Sequence, residues 1–319
     1  MVHKVLVTGG SGLVGSALKE ISENYNNYQF LFLSSADCDL TQVDHVEALF
    51  SRLKPNYVIH LAAQVGGLYR NMRSPVEMLE MNLQINLNVV RACAKHGVWK
   101  LIACLSTCVF PEAAVYPLTE KDLNDGAPHP SNASYAYAKR VLDAQCAAYR
   151  QQHHSPFMCV IPTNLYGLND QFDLEDAHVI PALIHRCFLA QKRGEDFTVR
   201  GSGNPLRQFV FARDFAERLM FILGEVDPFV LTRAIVAPKE EVTIRAVVDE
   251  IVRAVGFTGK VLWDPSFSDG QHVKTADGSL LNSRCLMPWT SLSDGVQATV
   301  EWFKAEINAG RLPRGVHSN

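Results

Sequence analysis

The chain has 319 residues, 47% of them hydrophobic and 20% charged, with a formal net charge of −3. This is the balance of a globular protein with a sizeable core, long enough for one large or two moderate domains. The lack of a long basic block argues against a nucleic-acid partner, and no apolar run reaches the roughly 18–20 residues that cross a bilayer. The eight cysteines form no regular framework and no C-x-x-C pair. They read as reduced thiols, which places the chain in the cytoplasm. No metal is called for.

The chain opens on "MVHKVLVTGG", which reads as a strand and not as a charged-then-apolar leader. "KVLVT" is followed by glycines and by helical spacing through "SALKEIS". "YQFLFLSS" is a second strand, "VDHVEALFSRL" a helix and "YVIHLAA" a third strand. A long helix is expected from Ser74 as N-cap, with Pro75 just inside it and Gly97 as its stop. "KLIACLST" is a fourth strand, "SYAYAKRVLDAQCAAYRQQH" a helix and "FMCVIPTNLYG" a fifth strand with its loop. Apolar strands alternating with helices imply a parallel sheet covered on both faces. Cys93, Cys104, Cys146 and Cys159 fall in apolar segments and read as packing residues.

After about residue 166 the pattern loosens. "HVIPALIHRCFLAQKRG" is helical, and "FTVRGSGNPLRQFVFARDFAERLMFIL" reads strand, turn, strand, helix. "LTRAIVA" returns to the main sheet. "TIRAVVDEIVRAVG" and "LSDGVQATVEWFKAEINAG" are amphipathic helices, with "DPSFSDGQHVKTADGS" a polar loop between them. The expectation is a first domain over 1–165 and a smaller, interleaved one over 166–319, with a segment near 205–236 rejoining the main sheet.

Gly9-x-x-Gly12-x-x-Gly15 lies between a strand and a helix. Such glycines permit a tight turn and close approach of a pyrophosphate to a helix N-terminus, so this is a dinucleotide-binding turn. The second strand ends on Ser34 and Ser35, where an acid would favour NAD, and Asp37 follows in the loop. That favours NADP(H), although no Arg or Lys stands beside it for the 2′-phosphate.

Tyr135 and Lys139 stand at i and i+4, on one helix face. A nearby ammonium is expected to lower the phenol pKa. With Ser106 at the end of the fourth strand and the glycine turn upstream, the whole chain resembles the extended short-chain dehydrogenase/reductase family. That resemblance implies a Rossmann-type doubly wound parallel sheet with a smaller α/β substrate-binding domain. It implies Ser106, Tyr135 and Lys139 as the triad that handles a carbonyl. It also implies cofactor contacts from Gly9, Ser11, Gly12, Leu13, Val14, Gly15, Asp39, Leu61, Ala62, Ala63, Pro162, Asn164, Leu165 and His178, besides Tyr135 and Lys139.

"STCVFP", "HVIPAL", "RGSGNPLRQF" and "SDGQHVKT" narrow the resemblance to the branch that turns GDP-4-keto-6-deoxy-D-mannose into GDP-L-fucose. The implied chemistry is epimerisation at carbons 3 and 5, then NADPH-dependent reduction at carbon 4. Cys108 is the implied base, a thiol whose pKa cationic neighbours would depress. His178 is the implied acid, at a helix start whose dipole lowers its pKa. Asn164, Arg186, Arg200, Arg207, Asp269 and Lys274 are the implied substrate ligands, with Arg207 suited to the pyrophosphate. The bacterial pattern has basic residues where Ser11 and Ser34 stand here. An NAD-dependent nucleotide-sugar 4-epimerase or dehydratase would use the same Ser, Tyr and Lys, but Cys108 and His178 speak against it. A dinucleotide-binding regulator would have no need of Tyr135 or Lys139. The family's homodimer would form through the helices that begin near Val76 and Tyr135.

Overall fold

The structure, a computed structural model, describes residues 2–267, 269 and 271–317, with only the backbone at 68 and 69. Its first half runs β1 (His3–Thr8), α1 (Leu13–Ile21), β2 (Tyr28–Leu33), α2 (Val43–Leu53), β3 (Tyr57–His60), α3 (Leu68–Arg73), α4 (Pro75–Lys95), β4 (Lys100–Cys104), α5 (Ala133–His153) and β5 (Phe157–Pro162). Then come β6 (Asn164–Tyr166), α6 (Val179–Arg193), β7 (Phe197–Arg200), β8 (Leu206–Arg207), β9 (Phe209–Phe211), α7 (Ala212–Glu225) and β10 (Arg233–Val236). The chain ends with β11 (Val242–Thr243), α8 (Ile244–Val255), β12 (Val261–Asp264), β13 (Val273–Lys274), α9 (Ser279–Asn282) and α10 (Leu292–Asn308).

Six strands form one sheet in the order β10-β5-β4-β3-β1-β2, and every neighbouring pair is parallel. The period of two sorts their side chains between two layers. Leu6 of β1 and Leu101 and Ala103 of β4 join the core under α2, α4 and α5. Val5, Val7 and Ile102 join the opposite core, under α1 and α7. A third core, built by α6, α8, α10, β7 and β9, includes Phe172, Phe197, Val248 and Phe303. Cys93, Cys146 and Cys159 are buried in the first core, and Cys104 packs beside the second, as expected of packing thiols.

After β2 the chain passes back across β1 to place β3 on its other side. A crevice therefore opens at the carboxyl ends of β1 and β3, where parallel α/β sheets bind their ligands. β10 joins the sheet beside β5 as expected. Ser74 stands at the N-cap of α4, but its hydroxyl makes no cap hydrogen bond. Gly97, at φ +66°, follows the end of that helix.

Elsewhere the sequence pattern was too coarse. The expected strand around 206–211 is two strands in different sheets. β8 pairs with β11 and β13, while β9 pairs with β6. Gln208, buried between them, fixes the split. Its Nε2 donates to Pro238 O and Ala276 O, its Oε1 accepts from Ala276 N, and its carbonyl accepts from Asn164. The polar loop expected around 264–279 contains β13, paired in parallel with β8 so that Lys274 lies opposite Arg207. Ser268 and Gly270 of "SDGQHVKT" lie outside the described residues.

Candidate active site

The glycine turn closes against β3. Gly9 has φ +71°, and a Cβ there would lie 2.9 Å from Ala62 N. A Cβ on Gly15 would lie 2.5 Å from Gly9 O. Ser16 is the first amide of α1 seen to bond back into the helix end, to Gly12 O. The amides of Leu13, Val14 and Gly15 therefore face out of the helix, a cradle that fits a pyrophosphate. Leu61 N donates to Thr8 O, and Ala62 N to Thr8 Oγ1, holding 61–63 along the same crevice. At the end of β2, Asp37 folds back to accept from Ser34 N (2.8 Å) and Ser34 Oγ (2.5 Å). A carboxylate thus does stand at that strand end, engaged by Ser34. Asp39 accepts from Thr41 N and Oγ1 in a local turn. Pro162 ends β5, and Leu165 in β6 packs on the core beside it.

β4 ends at Cys104, and the chain turns through a short 3₁₀ segment over Thr107–Val109. Ser106 caps it, its Oγ accepting from Cys108 N at 3.4 Å. Cys108 is thereby folded back and buried, 6% exposed. α5 grips both sides of this turn. Lys139 Nζ donates to Cys104 O at 2.7 Å, and Arg140 Nε donates to Val109 O at 2.7 Å. The Lys139 ammonium lies 5.7 Å from the centroid of the half-buried Tyr135 ring. Ser106, Cys108, Tyr135 and Lys139 thus meet at the carboxyl edge of the sheet.

Burial reverses two expectations about charge. It pushes the Tyr135 phenol well above its ordinary value, with Cys108 and Cys104 adding to the rise. Lys139 is itself buried, which pulls its own pKa down. Tyr135 consequently holds its proton at neutral pH. Burial also pushes the Cys108 thiol up, against Lys274, Ser106 and Lys139, which pull it down. The cationic neighbours are present, but desolvation outweighs them.

Lys274 lies opposite Arg207 across the β8–β13 pair, and burial lowers its pKa, with Cys108 raising it and Arg207 lowering it. Arg207 donates to Leu206 O and to Gln271 O. Tyr116, in the loop after Cys108, and Asp269 both act on the Arg207 guanidinium. Asp269 accepts from Ser202 N and Oγ. Tyr116 carried no spacing signal in the sequence, and only the fold brings it to Arg207.

His178 is the N-cap of α6 and is open to solvent. Desolvation lowers its pKa, the direction expected from sequence. Its loop is held residue by residue. Arg186 bonds Leu174 O, Arg200 pairs with Glu175 at 3.2 Å, and Arg73 pairs with Asp176 at 3.0 Å. Gly67 N also donates to Asp176 O. Arg186 and Arg200 therefore brace the His178 loop, with Arg200 also 4.7 Å above the Phe267 ring. Asn164 ties β6 to Gln208.

The profile of the NAD dependent epimerase/dehydratase family matches residues 5–236. This chain belongs to that family. Among the relatives of this family member is GDP-L-fucose synthase of Dictyostelium discoideum, 42% identical over 94% of each chain. Another is GDP-L-fucose synthase of Escherichia coli, 31% identical over 94% of this chain and 96% of that one. A GDP-L-fucose synthetase from Naegleria fowleri, solved bound to NADP, superposes with a TM-score of 0.91 at 39% identity, covering 96% of this chain and 94% of that one. The family's doubly wound fold is the six-stranded parallel sheet described above. Among the described residues, no helix is long and apolar enough to cross a membrane.

Proposed function

We propose that the protein is an NADPH-dependent epimerase-reductase that makes GDP-L-fucose from GDP-4-keto-6-deoxy-D-mannose. The observation that carries this reading is the meeting of Ser106, Cys108, Tyr135 and Lys139 on one sheet edge, with Lys274 and Arg207 beside them. Full-length relatives that synthesise GDP-L-fucose support it. The ketone at carbon 4 acidifies the hydrogens on carbons 3 and 5. At each of the two carbons Cys108 removes the proton through the thiolate form that Lys274 favours against burial, and His178 delivers a proton to the opposite face. The hydroxyls of Ser106 and Tyr135 hydrogen-bond the oxygen as it gains charge. Bound NADPH supplies the hydride for carbon 4. Tyr135, which keeps its proton at neutral pH, gives that proton to the oxygen, and Lys139 orients Tyr135 and the cofactor ribose.

Residues 1–165 would hold NADP(H) and 166–319 mainly the GDP-sugar. Arg207 would take its pyrophosphate, with Asn164, Arg186, Arg200, Asp269 and Lys274 around the sugar and phosphates. The protein works in the cytoplasm, where its eight free thiols stay reduced. It forms a homodimer through α4 and α5, whose outer faces expose Val76, Leu87, Tyr137 and Val141. Sizing in solution tests this: a variant carrying Leu87→Glu and Val141→Glu should run as a 35.4 kDa monomer, and an unchanged elution would reject that face.

The reaction is tested in deuterated water with the GDP-sugar and NADPH. Product should carry deuterium at carbons 3 and 5, and Cys108→Ser should abolish that exchange. Reduction without exchange would make the enzyme a plain ketoreductase with Cys108 as packing. No turnover would reject the substrate.

A further inference from the structure

α4 packs against the sheet, yet it places three asparagines where a helix that only packs would carry leucine or alanine. Asn82 is fully buried and Asn86 is 1% exposed. Asparagine is a poor helix former, and a buried amide is costly unless its groups are satisfied. Two of these amides are spent on loops leaving the carboxyl end of the sheet, and the third on the end of β3 and on α5. Asn82 accepts from Gln64 N at 2.9 Å and donates to Gln64 O at 3.0 Å, gripping the loop after β3. Asn88, on the opposite flank of the helix, donates to Leu40 O and Thr41 O in the loop after β2.

Asn86 reaches furthest. Its Oδ1 lies 3.1 Å from His60 Nε2, and its Nδ2 donates to Ala138 O at 3.5 Å. An amide oxygen can only accept, so His60 Nε2 carries the hydrogen. Burial pulls the His60 pKa down to about 3, so its Nδ1 is a bare acceptor. Thr8 therefore donates to Nδ1 across 2.7 Å, while Thr8 Oγ1 accepts from Ala62 N. Every hydrogen in the chain points the same way, from Ala62 through Thr8, His60 and Asn86 to Ala138. That chain starts beside the glycine turn and ends at the residue before Lys139.

We propose that Asn82, Asn86 and Asn88 are positioning residues for the dinucleotide, setting its affinity without touching it, through the two loops, the end of β3 and the α5 backbone that they hold. The Thr8–His60–Asn86 chain further ties the glycine turn to the helix that carries Tyr135 and Lys139. The inference rests on the reading that NADPH binds in this crevice.

The test is NADPH titration of the purified full chain by nicotinamide fluorescence, beside steady-state kinetics and melting curves. Asn88→Ala should weaken NADPH binding about 3- to 10-fold and raise its KM to match, with kcat held within about twofold. Asn86→Leu should weaken binding and also lower kcat, because it frees α5. Thr8→Val combined with Asn86→Leu should cost less than the sum of the two, as links of one chain do. Folded variants that bind NADPH like the parent would overturn the inference and leave the proposed function standing. If Asn86→Leu fails to fold, Asn88→Ala, on a partly exposed site, decides alone. A parent chain that binds no NADPH would instead reject the proposed function, and this inference with it.

Discussion

Cys108 is the residue whose chemistry depends most on its setting. Its thiol is pushed up by burial and held back first by Lys274. If Cys108 works as thiolate, Lys274→Met should raise its pKa further. Deuterium exchange at pH 7 should then slow about three- to tenfold, and its alkaline limb should move to higher pH. Iodoacetamide alkylation of the free enzyme should shift in the same direction, which separates the thiol from any loss of substrate binding. An unchanged alkylation profile would remove Lys274 from this role. Asp170 offers a second pH-dependent outcome. Its Oδ1 accepts from Gln171 N, its Oδ2 has no hydrogen-bond partner among the described residues, and burial pushes its pKa up to about 7. A raised acid favours the folded state while that state holds the extra proton. This contribution is complete below the unfolded pKa of about 3.9 and is lost as pH rises through about 7. Asp170→Asn should therefore be more stable than the parent at pH 8 by on the order of 1–3 kcal/mol, with the gap closing toward acid pH in denaturant midpoints. At this scale Ser106, Tyr135 and Lys139 were legible, because a strand end and an i, i+4 spacing are local facts. The directions of the Cys108 and Tyr135 shifts were not, because desolvation is a property of the assembled core.

The long elements followed from sequence for the same local reason. α4 and α5 each span 21 residues of helical spacing, β5 is a six-residue apolar run, and β1 is built on the apolar run Val5-Leu6-Val7. β8, β11 and β13 are only two residues long each, too short for any period to mark them. What defines them is Gln208, a side chain placed by tertiary contacts. Gln208→Leu would leave Ala276 N, Ala276 O and Pro238 O without that partner. The expected loss is about 3 kcal/mol of stability, read from the denaturant midpoint. Because β13 carries Lys274, GDP-sugar binding should weaken more than NADPH binding. Equal weakening of both would mean that the two small sheets and the crevice move as one unit. The asparagines of α4 were equally silent in sequence, because a helical pattern shows where a polar residue stands and not which loop it meets.

Across the whole molecule, the proposed site draws on Gly9 near one end of the chain and Lys274 near the other, with Cys108, Tyr135 and His178 between in sequence. Motifs named these segments from sequence, whereas the Tyr116–Arg207 proximity and the bracing of the His178 loop required the fold. The main sheet is equally dispersed, since its last strand, β10, arrives after α6 and the three short strands that follow it. That order has a consequence for how the protein is made. Until residues 233–236 leave the ribosome, β5 is an outermost strand with all six residues destined for burial and one row of backbone groups unpaired. Such an edge is a template for pairing with other chains. The fragment 1–165, which by motif looks like a self-sufficient nucleotide-binding unit, should therefore aggregate when expressed alone. The fragment 1–238, which includes α7 and β10, should be recovered in the supernatant in greater yield. If 1–165 proved soluble and monomeric, the late strand would be an addition to a finished sheet and not its closing edge.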